Sequence, residues 1–80
     1  MTAAELRHLA ETAEARWDGR QWFSLTLPRP RRVGDRMRLA GRRGGPYGRV
    51  LGPTADGQGA VCVFWSDEVL RWLDRAEADL

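Results

Sequence analysis

Leu6, Leu9, Ala10, Ala13 and Trp17 recur at helical spacing near the start of the chain, gathered within an arc of about 100°. Thr2 and Glu5 stand just ahead of this stripe. There the Thr2 hydroxyl can accept from the Glu5 amide while Glu5 reaches back to the Thr2 amide, a reciprocal pairing that starts helices. Gly19 supplies a stop, because glycine takes the left-handed conformation that ends them. The pattern predicts a short amphipathic helix over residues 3–17. His8 falls opposite the stripe and reads as a solvated helix residue rather than a catalytic base.

The period then changes from helical to two. Phe23, Leu25 and Leu27 alternate within 22–27, the mark of a strand. Pro28 and Pro30 stop it and keep the next residues extended. Met37 and Leu39 point one way and Arg36 and Arg38 the other within 35–40, as in a strand with one dry and one wet face. Residues 41–45 read as a loop, 47–51 as a short strand and 52–59 as a long turn. Ala60 to Trp65 is the most apolar run and is expected as a central strand, with Cys62 as a small buried hydrophobe.

The C-terminus has two readings. In one, Ser66 caps a helix that aligns Val69, Leu73, Ala76 and Leu80. In the other, residues 66–68 turn, 69–73 form a strand and only 74–79 are helical. The balance tips to the strand, because a small sheet needs a fifth member to close.

Composition narrows the class. Eighty residues suit a single domain, here 1–19 as helix and 22–80 as sheet. Four tryptophans supply much of a thin core, each burying roughly 200 Å². One cysteine excludes an internal disulfide and a cysteine-rich metal site. The start lacks a secretory pattern and the apolar runs are too short to span a bilayer. The expectation is a soluble, cytoplasmic protein without cofactor or metal.

Charge changes the picture most. The total is only +2, but residues 29–49 alone sum to +7, with −1 before them and −4 after. Arg29, Arg31, Arg32, Arg36, Arg38, Arg42, Arg43 and Arg49 lie in that stretch, with Tyr47 beside them. Arginine presents a planar fork to phosphate or carboxylate, and Tyr47 offers a ring for stacking.

Gly34-Asp35-Arg36-Met37-Arg38-Leu39, then Gly41, Gly44 and Gly48-Arg49-Val50-Leu51, resemble a KOW motif. The motif has a Gly-Asp turn, an alternating strand, a glycine-rich loop and a second strand led by Gly-x-Val. The run ending in Val63-Phe64-Trp65 and the acidic turn after it are similar to Tudor-type and other SH3-like barrels. The resemblance implies a mainly β, α+β fold: a helix followed by a small SH3-like antiparallel barrel of about five strands. KOW-type domains contact RNA in some proteins and other proteins elsewhere, and Tudor-like barrels cage methylated cations, for which Trp65, Trp72 and Tyr47 are candidates.

Catalysis finds no support. There is no lysine for a phosphate-binding loop of the Walker type, the glycine spacing is not that of a dinucleotide site, and a barrel this small lacks room for a deep substrate cleft. The sequence therefore predicts a non-catalytic module that grips nucleic acid, RNA or DNA, by its backbone. The alternative is a protein–protein adaptor or a structural subunit of a larger assembly, a virion included. It would meet an acidic protein surface, or dock through its N-terminal helix or acidic tail, with homo-oligomers possible. Pairing of the arginines with the tail's own acids, Asp67, Glu68, Asp74, Glu77 and Asp79, is the competing structural role.

Overall fold

The computed structural model describes residues 1–39 and 45–78. Its elements run α1 (Ala3–Glu11), β1 (Ala15–Trp17), β2 (Arg20–Leu27), β3 (Arg36–Arg38), β4 (Tyr47–Pro53), β5 (Ala60–Trp65) and α2 (Ser66–Ala78). The strands form one antiparallel sheet in the order β1-β2-β5-β4-β3. The fold is α+β with a dominant sheet, and β5 is the central strand, as its apolar run predicts. The sheet is open rather than a closed barrel, with β1 and β3 as its edges.

Helix α1 begins as expected, with Thr2 Oγ1 accepting from the Glu5 amide at 3.2 Å. It ends six residues short of the predicted Trp17. The Thr12 hydroxyl donates to the His8 carbonyl at 2.6 Å and the Thr12 amide does so at 3.0 Å, closing the last turn. Turn chemistry explains the difference. Asp18 and Gly19 have φ of 52° and 74°, the pair of positive angles that a two-residue hairpin demands and that Asp-Gly accepts. Trp17 pairs with Arg20 across that turn, so residues 15–17 become the edge strand β1.

The C-terminal expectation is corrected more fully: residues 69–73 are helix, not strand. In a strand, Val69, Arg71 and Leu73 would share one face. Val69 and Leu73 are buried, whereas the Arg71 side chain is 70% exposed. Burial of Val69, Trp72 and Leu73 together needs helical spacing. The fifth strand is β1, at the other end of the chain.

One face of the sheet carries Phe23, Val50, Ala60, Cys62 and Phe64 into a core with Leu6 and Ala10 of α1 and Val69, Trp72 and Leu73 of α2. Phe23 and Phe64 stack at 6.1 Å between ring centres. Burial pushes the Cys62 thiol up from its ordinary pKa. Strand β4 lies close against β5 because residue 48 is glycine: a β-carbon there would stand 2.6 Å from Cys62 Sγ. A bulge follows, with Val50 opposite Cys62 and Gly52 opposite Val61, so Leu51 is the extra residue and is exposed. No helix among the described residues is long and apolar enough to cross a membrane.

Candidate functional site

Register decides which side chains share the sheet's other face, because directly paired residues point the same way. Arg36 stands opposite Arg49 and Arg38 opposite Tyr47. Arg49 in turn pairs with Val63, and Trp22 pairs with Trp65. The two edge ladders thus bring arginines and aromatic rings onto one surface. The Gly34-Asp35 turn sets the entry to β3. Gly34 has φ of 89°, the Asp35 amide donates to the Arg32 carbonyl at 3.1 Å, and the Asp35 carboxylate accepts from the Arg32 amide at 3.2 Å.

Tyr47 is flanked by two guanidinium groups. That of Arg36 lies 4.5 Å from the ring centre and that of Arg38 5.3 Å, within the range of cation–π attraction. Arg38 Nη2 donates to the Tyr47 hydroxyl at 2.7 Å. That hydrogen bond first, then the charges of Arg38 and Arg36, hold the phenol below its ordinary pKa of 10.0.

A second cluster stands at the β1–β2 hairpin. The Trp17 and Trp65 ring centres are 5.6 Å apart. The Arg20 guanidinium lies 4.5 Å from the Trp65 ring centre and reaches Glu68 at 2.5 Å and Asp67 at 3.4 Å. Acids of α2 are therefore held by arginines outside the basic stretch. Arg71 also meets Asp67, at 3.4 Å, and Arg7 meets Asp74, at 3.0 Å.

The two clusters line one concavity of about 460 Å³, a size in the usual range for ligand sites, about 300–1,000 Å³. Trp17, Trp65 and Tyr47 supply its rings, Arg36 and Arg49 its positive charge, Asp18 and Glu68 its carboxylates, and Val63 an apolar wall.

Of the residues predicted from sequence, Arg36, Arg38, Tyr47 and Arg49 are brought together. Arg29, Arg31 and Arg32 are exposed on the connection into β3, where no hydrogen bond ties their side chains to the arginine–tyrosine face. Arg42 and Arg43 lie outside the described residues, as does Asp79, and nothing is described of the Glu77 side chain. Among the described residues, Arg29, Arg31, Arg32, Arg36, Arg38 and Arg49 form no ion pair. Trp72 departs from the predicted aromatic cage: it is only 9% exposed and belongs to the core. Trp17, assigned by spacing to a helix stripe, stands beside Trp65 instead and is 48% exposed. Its signal was the Asp-Gly pair that follows it.

Among the described residues no group of three or more His, Cys, Asp or Glu side chains is placed to hold a metal ion. Comparison of the chain with protein-family models, curated proteins and solved structures gives no match.

Proposed function

We propose that this chain is a non-catalytic module that binds nucleic acid, with Arg36, Arg38 and Arg49 gripping phosphates and Tyr47, Trp17 and Trp65 receiving bases. One observation carries the reading: Arg36 and Arg49 face each other directly across a ladder with no carboxylate paired to either. Like charges so placed oppose the fold. An external polyanion relieves them. Rings beside unpaired cations are the chemistry of single-strand binding, where stacking tolerates any base and charge follows the backbone. The KOW-like segment coincides with β3 and β4, and we attach the resemblance to that ladder. The SH3-like part of the reading extends to the β3–β4–β5 meander alone.

The adaptor reading stands second. The apolar side of α1 is already covered, with Leu6 and Ala10 buried, and Asp67, Glu68 and Asp74 already have arginine partners.

The test is fluorescence anisotropy of a labelled single-stranded oligonucleotide across a salt series. Three arginine–phosphate contacts give a log–log slope of about −2, and each arginine removed by Arg36→Ala or Arg49→Ala flattens it by about 0.7. No binding at low salt would remove this reading. A defined oligomer in light scattering alongside that result would favour the structural subunit.

A further inference from the structure

The concavity holds opposite charges that do not meet. Asp18 lies on its lining with Arg36 and Arg49, yet Asp18 forms no ion pair and donates or accepts no side-chain hydrogen bond among the described residues. Glu68, the other carboxylate there, is committed to Arg20 at 2.5 Å. So one carboxylate without a cation and two guanidinium groups without a carboxylate, that of Arg36 lying over the Tyr47 ring, share a space whose remaining lining is aromatic and apolar. A phosphate satisfies the arginines and leaves Asp18 without a partner. A simple cation does the reverse. The ligand that suits both is flat, with adjacent donors on one edge and adjacent acceptors on another.

Among the nucleobases only guanine has that pattern. Its N1–H and N2–H₂ are adjacent donors, matched to the two oxygens of a carboxylate. Its O6 and N7 are adjacent acceptors, the pair that arginine takes with both arms. Adenine, cytosine and thymine each offer a carboxylate a single donor position with an acceptor beside it. Unstacked bases in single strands expose both edges, and aromatic rings take their faces. Of the three rings on the lining, Tyr47 and Trp65 already carry guanidinium groups, and Trp17, 48% exposed, is the one that offers a face.

Resting on the nucleic-acid reading above, we infer that this concavity takes one guanine of a single strand. Asp18 accepts from its N1–H and N2–H₂, one of Arg36 and Arg49 leaves the phosphates to donate to O6 and N7, and the Trp17 ring takes one of its faces. The rest of the strand is gripped without regard to sequence.

Asp18 also has a structural role, as the first positive-φ residue of the hairpin turn. Asn is equally suited to that turn, so Asp18→Asn keeps the fold. It removes one of the two acceptor oxygens and the charge. The experiment measures affinities at fixed salt for a thymine 12-mer and for the same strand with one central guanine, adenine, inosine or 7-deazaguanine. The expected result is about tenfold tighter binding of the guanine strand than of the all-thymine strand. Inosine, which lacks the N2 amino group, and 7-deazaguanine, which lacks N7, each lose part of that preference. In Asp18→Asn the ratio between guanine and thymine strands falls towards one. A purely electrostatic role for Asp18 would raise both affinities and leave the ratio unchanged, which overturns the inference. Equal affinity of the native protein for all strands, with salt-sensitive binding intact, overturns the guanine site and leaves the backbone reading standing. Absence of binding to every strand overturns both.

Discussion

Gly48 of β4 lies against the Phe64 ring of β5, so that a β-carbon at position 48 would stand 2.7 Å from Phe64 Cζ and equally close to the Val63 carbonyl oxygen. The ring belongs to the core and the carbonyl to the central ladder, so neither can move without disturbing other contacts. Gly48→Ala is expected to lower stability by about 1–3 kcal/mol, the usual cost of overpacking. The denaturant midpoint should fall with the slope of the transition unchanged. An unmoved midpoint would mean that β4 separates from β5 at no cost.

Tyr47 should ionise below its ordinary value of 10.0, because the Arg38 hydrogen bond and then the charges of Arg38 and Arg36 favour the phenolate. The chain has one tyrosine, so its alkaline absorbance change reports this site alone. Arg38→Ala should move the inflection upwards. Identical curves for the two proteins would show that the contact is not kept in solution.

Asp56 organises the turn between β4 and β5. Its Oδ1 accepts from the Thr54 hydroxyl at 2.6 Å and from the Gln58 amide at 3.0 Å. These bonds, the Thr54 one foremost, hold its carboxyl below the usual range. A folded pKa below the unfolded one gives stability that is present above the unfolded value, about 4, and is lost as pH falls through the folded value. Asp56→Ala should therefore be less stable than the native protein near neutrality, and the gap should narrow in acid. A gap of constant size from neutral to acid pH would count against these hydrogen bonds.

Trp17 is expected to matter for binding through its stacking and for stability only through its ring partner. Trp17→Ala should weaken oligonucleotide binding by about 1–3 kcal/mol and reduce stability by about 0.5–1.5 kcal/mol through loss of the Trp65 contact. Unchanged affinity would remove Trp17 from the base-binding surface.

How far the sequence reveals this molecule depends on whether competing signals overlap. Alternation over 22–27 and the apolar run over 60–65 have no rival reading, and they match β2 and β5 to within two residues. Trp17 has two rivals. It sits four residues after Ala13, as a helix stripe requires, and also just before Asp18-Gly19, as a hairpin requires. The hairpin wins because Gly19 serves the turn, not a helix end. At 69–73 the wish for a closing strand outweighed the plainer helical spacing of Val69 and Leu73, and β1 removes that need. Clustering in sequence identifies Arg36, Arg38 and Arg49, but only cross-strand register shows that they share a face with Tyr47. Nothing in the spacing ties Asp18 to Arg36 or Arg49, which are far along the chain and share its concavity only through the folded sheet.

Strand β5 passes into α2 without an intervening residue, since Trp65 ends one and Ser66 begins the other. The backbone of Trp65 is thereby fixed between the central ladder, where it pairs with Trp22, and a helix anchored by Val69 and Leu73, while its indole is flanked by Trp17 and the Arg20 guanidinium. Such a joint has no slack to give. The wall that Trp65 contributes is preorganised, so a ligand arriving there meets a rigid plate and bears little ordering entropy at that side chain.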